Sequence, residues 1–127
     1  MLINQYAGSG GDFFPYMFRK NKLGPLVGKR TWGGLVGISG GYRLSDGGAV
    51  TAPAFSLYDP EKGEIIAENM GTEPDIDVDL SPDKLAKGID PQLQAAVKYL
   101  MDELKKNPPR KLSRFVPKLG EKAKIEK

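Results

Sequence analysis

The stretch "YAGSGGDFFPYMF", residues 6–18, sets Ser9 between Gly8 and Gly10, with Gly11 and Asp12 following and an aromatic run behind. A nucleophile on a sharp turn needs neighbours without side-chain bulk and free backbone N–H groups aimed at a developing oxyanion. Gly8 and Gly10 meet both needs. The spacing departs from the G-x-S-x-G of an esterase elbow, because the outer positions are Ala7 and Gly11. A plain glycine turn and a phosphate cradle are rival readings. A Walker-type loop needs Lys and Ser/Thr after its last glycine, whereas Asp12 stands there, an anion that repels phosphate, and G-x-G-x-x-G fails in frame. Nucleotide binding is therefore the weaker rival, and spacing alone leaves nucleophile and turn both open.

Such a serine requires a base, and the composition withholds the usual one. The 127 residues contain no histidine and no cysteine, which removes imidazole and thiolate chemistry and any disulfide framework. A serine hydroxyl is a poor nucleophile near neutral pH until a neighbouring group takes its proton. Lys20, Lys22 and Lys29 are alternatives, but no spacing singles one out. Asp75, Asp77 and Asp79 alternate as residues on one strand face do, yet no glycine turn or distal glutamate completes a calcium loop. They read as a solvated face, with no metal site and no cofactor expected.

The elements that must position Ser9 follow from periodicity and punctuation. "MLINQYAG" predicts a short apolar strand stopping at Gly8, and "GGDFFPYMFRKNKLG" a helix ending at Gly24, with Pro15 in its first turn and cations near its C-terminus. Ser9 then lies at a strand-to-helix elbow. "PLVGKRT", "GGLVGI", "GAVTAPAFSLYD", Glu64–Glu68 after a turn at Lys62-Gly63, and "PDIDVDL" all read as strands. In "DPQLQAAVKYLMDELKK", Asp90 is the expected N-cap, Pro91 the first helical residue, and Leu93, Ala96, Val97, Leu100, Met101 and Leu104 one apolar stripe. Strands outnumber helices, so the sheet needs cover from another part of the polypeptide or from a partner chain.

Length and charge set the outer limits. At 127 residues one domain is expected, and no apolar run approaches the roughly 20 residues that cross a bilayer. The net charge of +3 is uneven, because residues 107–127 hold seven Lys/Arg against two Glu and the rest is mildly acidic. Residues 107–127 read as a basic flexible tail or docking arm. A nucleic-acid role for it is the weakest expectation, since no RNA- or DNA-reading motif accompanies the charge.

Three segments carry a resemblance to a known family. "AGSGGD", "GKRTWGGLVG" and "ENMGTEPDIDVD", in unbroken order within residues 2–106, are similar to the C-terminal part of the catalytic domain of tricorn-type serine peptidases, relatives of the C-terminal-processing peptidases. The resemblance implies an α/β sheet-and-helix domain of the type shared with crotonases and Clp-type peptidases. It implies that Ser9 is the acyl-accepting nucleophile, that the Gly10 N–H helps bind the oxyanion, and that Glu68 belongs to a tetrad whose histidine and second serine lie in an upstream half. Read without it, Glu68 is a solvated strand end. Arg30, Thr31, Gly33 and Gly34 are candidates to line a substrate groove by strand-edge pairing, whereas Trp32 is expected to pack in a core.

The implied function is hydrolysis of oligopeptides through an acyl-enzyme on Ser9, in a cytoplasmic homo-oligomer, with the 127 residues alone inactive or nearly so. The competing expectation is a non-catalytic peptide-binding or assembly module. The absent histidine is what keeps that alternative in play.

Overall fold

The computed structural model describes residues 1–109. Three two-residue strands form a parallel sheet in the order β1 (Leu2–Ile3), β2 (Val27–Gly28), β7 (Ile76–Asp77), with Leu2 opposite Val27 and Val27 opposite Ile76. Parallel neighbours need crossover connections. Helix α1 (Gly10–Lys20) lies in the first crossover, and the second carries an antiparallel ribbon, β3 (Gly37–Arg43) with β4 (Ala49–Phe55), then a small hairpin, β5 (Tyr58–Asp59) with β6 (Glu64–Ile65). A single turn, α2 (Pro82–Leu85), precedes the long helix α3 (Pro91–Lys106), which packs on β1 and β2. Among the described residues no helix is long and apolar enough to cross a membrane. Residues 110–127, most of the expected basic tail, lie outside the described residues.

The most local signals correspond to what forms. The Asp90 carboxylate accepts the Leu93 N–H at 2.9 Å and Pro91 opens α3 as its first residue, because capping and fixed φ act within one turn. The apolar stripe is there, but Leu93, Val97, Leu100, Met101 and Leu104 are all about half exposed or more. Buried Gln92 ties the start of α3 to the sheet by donating from Nε2 to the Val78 carbonyl at 2.8 Å.

Four expectations need correction. Helix α1 ends at Lys20 rather than Gly24, since the Asn21 backbone N–H and side-chain amide both turn back onto the Met17 carbonyl. Pro15 lies in the interior of α1, buried, not in its first turn, so the Gly11 carbonyl is left without an i+4 donor. The strand expected over 48–59 breaks at Ser56 and Leu57 into β4 and β5. "GGLVGI" is irregular through Val36 and becomes strand only at Gly37; the reason is chemical and belongs to the site below.

The core under the site consists of Leu35, Ile66 and Ala67, with Phe13, Tyr16 and Leu57 packed against it. At its rim Asp59, 1% exposed, accepts from the Tyr16 hydroxyl, from Lys20 Nζ at 3.1 Å and from the Glu61 N–H at 2.9 Å. The Tyr16 hydrogen bond, helped by Lys20, holds the Asp59 carboxyl down to about 2, while burial and the same carboxylate push Tyr16 up to about 12. Asp59 therefore adds stability that is present above its ordinary 3.8 and lost as pH falls through about 2. Tyr16→Phe removes the largest cause of the depression, so its acid-unfolding midpoint moves to higher pH than wild type. Far-ultraviolet circular dichroism across pH 1–5 reads this; coincident midpoints would contradict the assigned cause.

Candidate active site

Ser9 is placed by the end of one element and the start of another. The chain leaves β1, turns at residues 4–7 and enters α1 with Ser9 as its N-cap, at φ 54° and ψ −112°. A non-glycine residue there is strained by about 1–3 kcal/mol and persists only when its surroundings hold it. The holding bonds are present: the Ser9 N–H donates to the Gly34 carbonyl at 2.9 Å, and the Ser9 carbonyl accepts from Asp12 and Phe13 at 2.9 and 3.0 Å. The Ser9 side chain makes no capping hydrogen bond and is exposed. An N-cap serine normally uses its hydroxyl to satisfy the helix; this one leaves it available.

Gly10 is the first residue of α1, where N–H groups have no intrahelical acceptor. Among the described residues the Gly10 N–H has no hydrogen-bond acceptor, and a Cβ added at Gly10 meets nothing within 4 Å. The helix dipole directs partial positive charge to the same point. A free hydroxyl and an unpaired N–H on adjacent residues at a helix N-terminus form a pair that can receive a carbonyl undergoing attack.

Glu68 lies in a tight turn flanked by Ala67 at φ 56° and Asn69 at φ 60°. Only four non-glycine residues among those described have positive φ, and three of them are Ser9 and the two neighbours of Glu68. Strain is thus concentrated at the two positions that the sequence nominated. Glu68 Oε2 accepts the N–H groups of Leu35 and Val36 at 2.7 and 2.8 Å, and the Asn69 N–H donates to the Gly33 carbonyl at 2.7 Å. Residues 33–36 therefore run between the two, held to Ser9 through Gly34 and to Glu68 through Leu35 and Val36. Their N–H groups serve carboxylates instead of a neighbouring strand, which is why no strand forms there.

Sequence reasoning missed Asp12, treating it only as an obstacle to phosphate. It is fully buried; Oδ1 accepts the Gly33 N–H at 2.8 Å, Oδ2 the Gly34 N–H at 3.1 Å, and its backbone carbonyl the Thr72 hydroxyl at 3.0 Å. The available signal was an acidic residue in the first turn of a helix, where a carboxylate is stabilised.

The polar groups of the groove candidates are bonded within the chain, although Arg30 remains exposed. Thr31 is fully buried and bonded twice to Thr72, its N–H donating at 3.1 Å and its hydroxyl accepting at 2.7 Å. Arg30 donates to the Met70 carbonyl at 2.8 Å, and the N–H groups of Gly33 and Gly34 are taken by Asp12. Trp32, expected in a core, is 67% exposed. Its ring lies on Gly8 and Gly34, where an added Cβ would come within 2.6 and 2.5 Å of it.

Two of the three rival bases, Lys20 and Lys29, are committed to carboxylates. Lys20 pairs with Asp59 and Glu61 at 3.1 Å each, and Lys29 with Asp77 at 2.7 Å. Those hydrogen bonds raise both lysines above their usual range, the opposite of what a lysine base requires. The aspartate run is the exposed face expected, with Asp75, Asp77 and Asp79 all open to solvent, and two of the three also have partners. Asp75 accepts the Leu26 N–H at 2.7 Å and pairs with Arg19 at 3.0 Å, and Asp77 is engaged by Lys29. Among the described residues no three potential metal ligands cluster.

Comparison with known proteins gives the family. Residues 1–78 match the family model of peptidase family S41. A protein of Sulfurisphaera tokodaii named as a tricorn-like protease C-terminal subunit is 48% identical over 103 residues, 81% of this chain and 12% of that protein. The crystal structure of the tricorn protease superposes with a TM-score of 0.73 at 40% identity, over 82% of this chain and 10% of that one. The structure of mature CPAF complexed with lactacystin gives 0.69 at 26% identity, over 84% and 20%. The chain thus spans about a tenth of the length of the tricorn-type relatives it matches.

Proposed function

The chain belongs to peptidase family S41, and from that membership we propose that Ser9 is the nucleophile of a peptidase site whose base is a histidine outside these 127 residues. The observation that carries the reading is the elbow: an exposed, uncommitted hydroxyl on a residue held at φ 54° beside the Gly10 N–H, which has no acceptor among the described residues. In this reading the Ser9 Oγ attacks the carbonyl carbon of a peptide bond as its proton passes to the histidine, and the Gly10 N–H donates a hydrogen bond to the oxyanion that forms. The histidine returns the proton to the leaving amine, and water then cleaves the acyl-enzyme. Glu68, anchored through Oε2, offers its other oxygen to orient the partner that holds the histidine.

The same reading treats residues 1–106 as the C-terminal part of a catalytic domain of the sheet-and-helix type shared with crotonases and Clp-type peptidases. Oligopeptide substrates, a cytoplasmic setting and a homo-oligomer come with it from the tricorn-type likeness. Arg30, Thr31, Gly33 and Gly34 shape the wall of the groove from behind, because their polar groups are bonded within the chain.

The test is intact-mass analysis after treatment with a fluorophosphonate, for wild type and Ser9→Ala, with and without a histidine-bearing upstream half of a tricorn-type catalytic domain. Labelling of wild type only when that half is present is the expected result. Labelling of the chain alone would show that a base lies within it. No labelling under either condition would favour the peptide-binding module that the missing histidine also suggests.

A further inference from the structure

Three hydrogen bonds close a circuit around Ser9. Its N–H donates to the Gly34 carbonyl at 2.9 Å, the Gly34 N–H donates to Asp12 Oδ2 at 3.1 Å, and the Asp12 N–H donates back to the Ser9 carbonyl at 2.9 Å. Asp12 Oδ1 adds a fourth bond, from the Gly33 N–H at 2.8 Å. Ser9 has φ 54° and ψ −112°, a conformation that no side-chain cap supports, so its retention depends on bonds to its own backbone. We infer that Asp12 is a positioning residue of the Ser9 site, its buried carboxylate holding Gly33 and Gly34 in place so that Ser9 stays in its strained conformation and the adjacent Gly10 N–H stays without an acceptor in the chain.

The chemistry of the group matters as much as its place. Two adjacent backbone N–H groups converge on one side chain, one on each carboxylate oxygen, so in this geometry both terminal atoms must be acceptors. In Asp12→Asn, whichever way the amide is turned, an NH2 faces either the Gly33 or the Gly34 N–H, donor against donor. With the side chain fully buried, water cannot relieve the mismatch and the segment must shift. A shift of Gly34 passes directly to Ser9 through the bond between them. Thr72 provides the contrast. Its hydroxyl bonds the Asp12 backbone carbonyl at 3.0 Å and the residue is also buried, yet it is no member of the circuit.

The inference rests on the proposed role of Ser9, and the experiment separates the two. In the isotopically labelled wild-type chain, scalar couplings across hydrogen bonds are expected from the Gly33 and Gly34 amides to the Asp12 carboxylate carbon, and from the Ser9 amide to the Gly34 carbonyl carbon. Their absence overturns the circuit without reference to any activity. In Asp12→Asn the Ser9 Cα and Cβ and the Gly10 amide resonances move, whereas in Thr72→Val they stay.

With the histidine-bearing half added, the maximal rate of fluorophosphonate labelling in Asp12→Asn falls by about 10–100-fold, with the inhibitor half-saturation within about twofold of wild type. Thr72→Val keeps the wild-type rate. Equal behaviour of the two variants, or unchanged Ser9 and Gly10 resonances in Asp12→Asn, overturns the positioning role. If wild type is never labelled, the nucleophile reading fails, and the couplings and resonances still decide whether Asp12 sets the elbow.

Discussion

Ser9→Ala, assayed in the chain combined with a histidine-bearing upstream half, lowers kcat/KM for a fluorogenic oligopeptide by at least ~10³-fold. The size follows from what is removed. The covalent route disappears altogether, and only binding and the Gly10 N–H remain to assist direct attack by water. Stability, by contrast, should change little, within about 0.5 kcal/mol. Ser and Ala both carry a Cβ and suffer the same strain at φ 54°, and the hydroxyl makes no hydrogen bond that the fold would miss. Urea unfolding of wild type and variant, measured beside the turnover, separates chemistry from folding. Retained turnover in Ser9→Ala would refute the nucleophile assignment, and a large loss of stability would show that the hydroxyl has a structural partner.

Gly28→Ala has the largest expected effect on stability, a loss of about 3 kcal/mol or more. Gly28 pairs with Ile3 on one side and Asp77 on the other at the middle of the parallel sheet, with φ at 132°. A Cβ there would lie 1.9 Å from the Ile3 carbonyl oxygen. That oxygen already accepts the Lys29 N–H at 3.1 Å and belongs to backbone, so it cannot swing aside as a flexible side chain would. Gly40→Ala is the matched control: it has φ 75° but nothing within 4 Å of the new Cβ. Its loss is strain alone, about 1–2 kcal/mol. Urea denaturation of the two variants isolates the overlap. Equal losses would mean that β1 and β2 can separate at no cost, contrary to the sheet described.

Part of the site was legible because its signals are short. The glycines around Ser9 sit within two residues of it, the cap and stripe of α3 within four, and the turn at Lys62-Gly63 joins strands that are close in the chain. Asp12 and residues 33–36 were misread for one common reason. The meaning of a carboxylate depends on the donors it meets, and here those donors lie 21 and 22 residues away for Asp12 and 33 and 32 for Glu68. "GGLVGI" has the composition of a strand, but its amides are claimed by side chains before a strand partner can take them. Trp32 was misplaced for a related reason: two glycines, at positions 8 and 34, offer its ring a flat bed at the surface, and that bed forms only when the two segments meet.

By itself, then, the sequence determined the serine turn, the absence of any imidazole, the long capped helix and, through three segments in order, the likeness to tricorn-type peptidases. Those depend on residue identity and on spacings of a few positions, where propensity and local hydrogen bonding decide. The tertiary structure alone decided that Ser9 is strained and uncommitted, that Asp12 is buried beneath it, and that one irregular segment connects it to Glu68. Each of these depends on backbone N–H and C=O groups finding partners across 20 residues or more, and a buried polar group must find one wherever the fold brings it.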